Sequence, residues 1–384
     1  DRSSQEKKGR MRKKILHFRI WPNPPIAVSV EKLLHETFPE YELEIVTLAE
    51  RIKTDKWLLM RNTLETLRQY GCDILRGRLD FKAAFFRTIF LFDRVGRMAR
   101  EIGWGRQDIA FTFQLQSIFD THLEGIPHFV YTDHTQLANL LYSPHMKVQL
   151  YSAEWISREK TLYMNAARVF TRSNNISRSL CEQYGIPADR VNCIYAGANT
   201  PSEAIEPDKK DYSAKNILFV GLDWERKGGP ELLSAFEEVR RNHSDARLVI
   251  AGASVKTDLA GVISLGRVPV EELKRYYREA TVFCMPSRNE PFGVAYVEAM
   301  AYALPIVATE IGALPDMVSN GKNGFLVQPG DIESLAQVLD NLLSDPRKRA
   351  RFGKISRRLA AERYNWDAVG RSMRKTIEQF LPSR

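Results

Sequence analysis

Two carboxylates, Glu290 and Glu298, bracket a glycine in the run Pro286-Ser287-Arg288-Asn289-Glu290-Pro291-Phe292-Gly293-Val294-Ala295-Tyr296-Val297-Glu298-Ala299-Met300-Ala301. The preceding residues, Thr281 to Met285, form an apolar run of strand length, and Val294 to Ala303 reads as a helix of small and apolar residues. Pro291 and Gly293 break the chain between them. A helix start leaves backbone N–H groups unpaired and carries the positive end of the helix dipole, so Phe292, Gly293 and Val294 can offer amides to an anion. Gly293 lets that anion approach closely. Glu298 falls about one turn into the helix among Val294, Ala295, Val297 and Ala301, a costly place for a carboxylate without donors. A ribose or sugar diol supplies two. The chemistry that fits is the binding of a phosphorylated sugar. The plainer reading makes Glu290 a turn cap and Glu298 a solvated residue favoured by the helix dipole.

Other charged groups fall at strand ends. Leu222-Asp223-Trp224-Glu225-Arg226-Lys227-Gly228-Gly229 follows an apolar run and precedes a helix, which brings Arg226 and Lys227 within reach of a pyrophosphate; a solvated basic loop is the alternative. Asp133 and His134 follow the buried run Phe129-Val130-Tyr131-Thr132, where an imidazole serves structure or catalysis. Leu265-Gly266-Arg267-Val268-Pro269 closes a further strand.

The elements that carry these groups alternate between strand and helix. In the first half, strands are predicted at Lys14–Arg19, Glu42–Leu48, Asp108–Phe113, Phe129–Thr132 and Ala167–Thr171, with helices at Ile26–Thr37 and Ser173–Tyr184. In the second half, strands are predicted at Asn216–Gly221, Arg247–Gly252, Val262–Gly266, Val282–Met285, Pro305–Thr309 and Phe325–Val327. Helices fall at Pro230–Arg241, Val270–Ala280, Val294–Ala303 and Ile332–Leu343. Such alternation predicts α/β domains with doubly wound parallel sheets, whose ligands gather at the carboxyl ends of the strands. The polar stretch Thr200–Lys215 is the expected linker, which divides the chain into residues 1–200, 201–365 and a terminal helix within 366–384.

The Glu290–Glu298 pattern resembles the signature of the retaining nucleotide-sugar glycosyltransferases of family four, which have the GT-B fold of two Rossmann-like domains facing a cleft. Lys227-Gly228, the turn around Val268, Gly312-Ala313-Leu314-Pro315-Asp316-Met317-Val318 and Gly321-Lys322-Asn323-Gly324 match the family's usual run as well. The resemblance implies that Glu290 approaches the transferred sugar, that Glu298 holds the ribose hydroxyls and that His134 contacts the donor sugar. It further implies that Arg226 and Lys227 face the diphosphate, that Val268 lies by the nucleobase, and that the helix across 366–384 packs back on the first domain. The implied donor is a UDP-sugar, UDP-glucose first and GDP-sugars second, with a glycan or lipid-linked acceptor in polysaccharide or glycoconjugate synthesis, and neither cofactor nor metal is required. Two positions depart from the family: Leu222 stands where an Arg is usual, with Arg226 as the expected substitute, and Trp21-Pro22-Asn23-Pro24-Pro25 replaces a glycine pair. Proline fixes that loop and offers no N–H groups, so a rigid acceptor-side wall is expected there.

Composition sets the outer bounds. The 384 residues are 44% hydrophobic and 27% charged, an ordinary globular balance with room for two cores. No long apolar run suggests a membrane span and no signal segment is evident, so a cytoplasmic enzyme is expected, at the inner face of a membrane if the acceptor is lipid-linked. Cys72, Cys181, Cys193 and Cys284 are scattered without metal spacing, which predicts reduced thiols and no zinc. Neither a Gly-x-Gly-x-x-Gly after a strand nor a Walker loop is present, against a dehydrogenase or a P-loop kinase. The net charge of +9, much of it in Lys7–Lys14, would also suit a non-catalytic protein that binds nucleic acid or a membrane surface. That reading does not explain the glutamate pair, so no nucleic-acid partner is expected. A sugar phosphorylase or epimerase on the same fold is the other alternative. The aromatic and basic stretch Leu79–Trp104 predicts an amphipathic helix, its apolar face either in a membrane interface or in the first domain's core.

Overall fold

The computed structural model describes residues 12–22, 24–142, 150–199 and 207–382. Much of the basic run Lys7–Lys14, and the linker Thr200–Lys215 before residue 207, lie outside them.

The first domain is built on six parallel strands, β1 (Lys14–Arg19), β2 (Glu42–Thr47), β3 (Ile109–Leu115), β4 (His128–Thr132), β5 (Arg168–Thr171) and β6 (Val191–Cys193), in the order β2-β1-β3-β4-β5-β6. The second has β7 (Asn216–Gly221), β8 (Arg247–Gly252), β9 (Val262–Gly266), β10 (Val282–Met285), β11 (Ile306–Thr309) and β12 (Gly324–Val327), in the order β12-β11-β10-β7-β8-β9. The central strands are apolar runs because helices cover both faces; β4, β10 and β11 are buried along their whole length.

Among the described residues, seven α-helices belong to the first half: α1 (Pro25–Thr37), α2 (Leu48–Thr54), α3 (Lys56–Leu75), α4 (Phe81–Phe85), α5 (Ile89–Gly103), α6 (Ala153–Asn165) and α7 (Asn174–Arg178). The second half adds α8 (Gly229–Asn242), α9 (Val270–Glu279), α10 (Val294–Ala301), α11 (Leu314–Met317), α12 (Ile332–Ser344), α13 (Pro346–Glu362) and α14 (Trp366–Ile377). Helix α14 lies against α1: Arg374 reaches the Glu40 carboxylate at 2.8 Å, and Gly370 passes so close that an added Cβ would stand 2.6 Å from Thr37 Oγ1. Phe380, just beyond it, packs edge-on to Phe129 of β4.

Leu79–Trp104 is two helices, not one. Asp80 accepts from the amide of Ala83 and Thr88 from that of Leu91, and these two side-chain caps start α4 and α5 separately. Leu91, Phe92, Val95, Met98 and Ala99 of α5 are buried in the first domain's core, so the apolar face is spent inside the fold and is not offered to a membrane. Helix Ser173–Tyr184 is shorter than expected, regular only over α7 and then widened into a π turn at Ser179–Gln183. Among the described residues no helix is long and apolar enough to cross a membrane.

Candidate active site

The strand order of the second sheet reverses between β7 and β10, so the loops leaving their carboxyl ends open a crevice. The β7 loop ends at Gly228, which has φ 73° and whose missing Cβ would lie 1.9 Å from the carbonyl oxygen of Pro286. Only glycine allows that contact between the two loops. The amide of Arg288 then donates to Arg226 O at 2.9 Å, and Lys227 Nζ meets the carboxylate of Glu290. Glu290 is 4% exposed, and its second donor is Ser287 Oγ at 3.4 Å. A buried carboxylate is retained only with such partners. Arg226 donates to Asp223 Oδ2 and to the backbone carbonyl of Asn289, both at 3.0 Å, which sets its guanidinium beside the Glu290 loop while Leu222 points into solvent.

Gly293, at φ 93°, opens α10 without a side-chain cap, and Gly228 does the same for α8. Two positive helix ends therefore converge on the Lys227–Glu290 pair. Phe292 and Gly293 are buried, whereas Val294 is half-buried. Glu298 lies inside α10, 8% exposed, with Tyr277 Oη donating to its Oε2 at 3.0 Å. Val268 is half-buried in the turn after β9, an edge strand two strand spacings from β7, roughly 10 Å along the same rim. The run Gly312–Val318, matched from sequence to the family's usual run, braces Glu290 directly: a Cβ on Gly312, at φ 52°, would stand 2.1 Å from Glu290 O.

The facing wall comes from the first domain. His134 follows β4, and its carbonyl oxygen accepts from Thr132 Oγ1 at 2.8 Å and Ser117 Oγ at 3.3 Å. Its Nε2 lies 3.4 Å from Asn139 Nδ2, while the buried Nδ1 has no partner. Burial lowers the imidazole pKa below its ordinary value, so the ring is neutral near pH 7. Asp133 is held by Arg172 at 2.8 Å. A cavity of about 100 Å³ is lined by His134, Asp133, Gln116, Arg87, Trp155 and Glu159, and neither Arg87 Nε nor Trp155 Nε1 has a hydrogen-bond partner. Burial pushes the Glu159 carboxyl up to about 7, against the hydroxyls of Tyr184 and Tyr163 and the amide of Gln136 that donate to it.

The sequence reading missed Tyr142, Arg172 and Glu159. Tyr142 is 5% exposed, its hydroxyl has no hydrogen-bond partner, and both Glu290 and Asp133 raise its pKa after burial does. It stands between the two walls. Arg172 had a legible signal, a cation directly after the buried strand β5; Tyr142 and Glu159 had none.

Residues 202–359 match the model for glycosyl transferases group 1, and residues 58–201 match that for glycosyltransferase family 4. The chain belongs to this group of glycosyltransferases and has the GT-B architecture. It is 30% identical over 253 residues to an uncharacterised glycosyltransferase of Methanocaldococcus jannaschii, covering 60% of this chain and 63% of that one. It is 31% identical over 232 residues, 54% of this chain and 61% of the other, to the GDP-mannose-dependent α-(1-6)-phosphatidylinositol monomannoside mannosyltransferase of Mycolicibacterium smegmatis. The chain thus spans about three fifths of the length of the curated relatives it matches. Among solved structures, Anabaena HepE in complex with UDP-glucose superposes with a TM-score of 0.63 at 16% identity, over 95% of this chain and 99% of that one. Sucrose-phosphate synthase from Thermosynechococcus elongatus gives a TM-score of 0.60 at 21% identity, over 76% and 79%.

Proposed function

We propose that the chain is a retaining, metal-independent glycosyltransferase that moves a hexose from a nucleotide-diphosphate sugar to a glycan or lipid-linked acceptor. The observation that carries this reading is the Lys227–Glu290 pair, a half-buried cation and a buried carboxylate set where two uncapped helix starts meet. The amides of Phe292 to Val294, with Arg226 and Lys227, then supply the positive charge that stabilises the leaving diphosphate, as preorganised donors do in a water-poor crevice. Lys227 passes from Glu290 to the diphosphate, and the freed carboxylate accepts from sugar hydroxyls. Glu298 takes the ribose hydroxyls, and the turn at Val268 borders the base.

The anomeric carbon loses its bond to the diphosphate oxygen and gains one to the acceptor hydroxyl oxygen on the same face, while the acceptor proton passes to the departing oxygen. Glu290 orients the sugar, and neutral His134 offers a hydrogen bond without charge. A UDP-sugar, UDP-glucose first, is the favoured donor. The complex of Anabaena HepE supports that choice, and the GDP-mannose-dependent relative makes GDP-sugars the rival. The reaction is placed in the cytoplasm, in polysaccharide or glycoconjugate synthesis.

The test is a thermal-shift panel of UDP- and GDP-sugars on the purified chain, followed by turnover with acceptor extract. Ligand that binds the folded state raises the melting temperature by mass action, and the reading expects a shift with one nucleotide series and release of that nucleoside diphosphate. No shift with any nucleotide sugar, or release of sugar phosphate instead, would sink it.

A further inference from the structure

Helix α3 faces the wrong way for a helix of a globular core. Its inward row is Leu58, Asn62, Thr66 and Tyr70, and three of the four are polar or carry a hydroxyl. Asn62 Nδ2 donates to Phe85 O at 2.8 Å, Thr66 Oγ1 to Asn62 O at 2.7 Å, and Tyr70 Oη to Arg87 O at 2.8 Å. The outward row is Trp57, Met60, Leu64, Leu67 and Leu75, exposed by 55%, 59%, 62%, 51% and 89%. At helical spacing these five fall within an arc of about 80° on the side opposite the buried row, along a helix about 30 Å long. Scattered exposed apolar residues need no explanation, but a continuous stripe of them marks an interaction site.

The surrounding charge selects the occupant. Residues 51–78 hold seven Lys and Arg against three Asp and Glu. The acids are engaged: Asp55 caps α3, Glu65 pairs with Arg68 at 3.4 Å, and Asp73 pairs with Arg78 at 3.8 Å. Arg61 lies over the rings of Trp57 and Phe90, and Lys56, Arg61 and Arg68 flank the stripe in solvent. A second copy of the chain seated on this face would bring those cations against their like. An anionic bilayer surface complements them, with Trp57 suited to the headgroup level.

We propose that the outward face of α3 docks the first domain onto an anionic membrane surface, the apolar stripe entering the headgroup boundary and the flanking cations meeting lipid phosphates. The helix lies on the bilayer and does not cross it. The proposal is independent of the donor-site reading.

Flotation of the full chain with phosphatidylcholine vesicles, with and without phosphatidylglycerol, tests it. The chain should float with the anionic vesicles and bind neutral ones at least about tenfold more weakly, as surface charge and burial act together. Leu64→Glu with Leu67→Glu should lower anionic-vesicle binding by about tenfold or more, and Lys56→Glu with Arg68→Glu should bring it down to the neutral-vesicle level. Both pairs replace exposed side chains, so the melting temperature and the nucleotide-induced shift should hold. The proposal is overturned by absence of flotation, by equal binding to neutral vesicles, or by undiminished binding of either folded variant. A dimer that the Leu64→Glu and Leu67→Glu pair dissolves, with no vesicle binding by the parent chain, would assign the face to a second copy instead.

Discussion

The two walls of the crevice, one from each sheet, are finished differently. In the second domain, between β7 and β10, the charged groups hold one another: Lys227 with Glu290, Arg226 with Asp223, Arg288 with Glu231 at 2.6 Å. In the first domain, beside β3 and β4, His134 Nδ1, Arg87 Nε, Trp155 Nε1 and Tyr142 Oη are buried without partners. Buried polar groups are ordinarily satisfied, and a cluster of exceptions asks for a reason. On the proposed reading, one wall is preorganised for the diphosphate and ribose of the donor, and the other keeps open polar groups for the transferred sugar and its acceptor.

The largest effect should come from breaking the finished wall. Glu290→Ala is expected to lower transfer by about a thousandfold or more, on the order of 4 kcal/mol in the barrier, while UDP affinity by calorimetry holds, because Lys227 remains for the diphosphate. A folded variant that still transfers at the parent rate would remove Glu290 from the chemistry. Glu290→Gln serves as the companion, since leaving Lys227 without a partner in the free protein has its own stability cost.

Gly228→Ala tests whether the wall depends on contact between its two loops. The added methyl would collide with the Pro286 carbonyl at 1.9 Å, and φ 73° is unfavourable for alanine. Overpacking and left-handed strain together predict a loss of about 3–4 kcal/mol in chemical denaturation. A loss below about 1 kcal/mol would show that the loops can part without consequence.

The open wall has its own signature in pH. Glu159 is fully buried with a pKa pushed up to about 7 from the ordinary 4.5, chiefly by burial; Tyr184, Tyr163, the Gln136 amide and Arg87 oppose the shift. Because the folded pKa is the higher one, the folded state binds the proton more tightly. The stabilisation is fully present below pH 4.5 and is lost as pH rises to about 7. Over that interval the chain should lose about 3 kcal/mol at most relative to Glu159→Gln, whose stability should lack this component. Parallel pH profiles for the two proteins would contradict the assignment.

The same contrast explains what could be read in the sequence. Most strands of the second half were legible to within a residue or two because parallel strands are short apolar runs, several of which end at glycine, as at Gly221 and Gly252. Helices α3, α6 and α13 were not, for physical reasons. The row that α3 buries is largely polar, α6 sets Glu159 among Trp155, Leu162 and Tyr163, and α13 sets Arg349, Gly353 and Ser356 among Phe352 and Ala360, so the apolar period of each inner face is interrupted. The division of Leu79–Trp104 had a signal in the two caps Asp80 and Thr88, which the aromatic residues obscured. At the site, the paired glutamates, Arg226, Lys227 and His134 stood out by type at strand ends. Tyr142 did not, because its position depends on how one domain meets the other.

The mildest test separates the two glutamates. Glu298 is tucked inside α10 with Tyr277 already on one oxygen, so its removal leaves the crevice shape and the Lys227–Glu290 pair intact. Glu298→Ala should therefore weaken UDP binding by about 1–3 kcal/mol, the usual range for a buried hydrogen-bonding carboxylate, and leave turnover at saturating donor within a few-fold. Glu290→Ala predicts the reverse, intact affinity and lost turnover. If both variants instead lost affinity and turnover in proportion, the division between a sugar carboxylate and a ribose carboxylate would fail, and the second domain's wall would have to be treated as one cooperative unit.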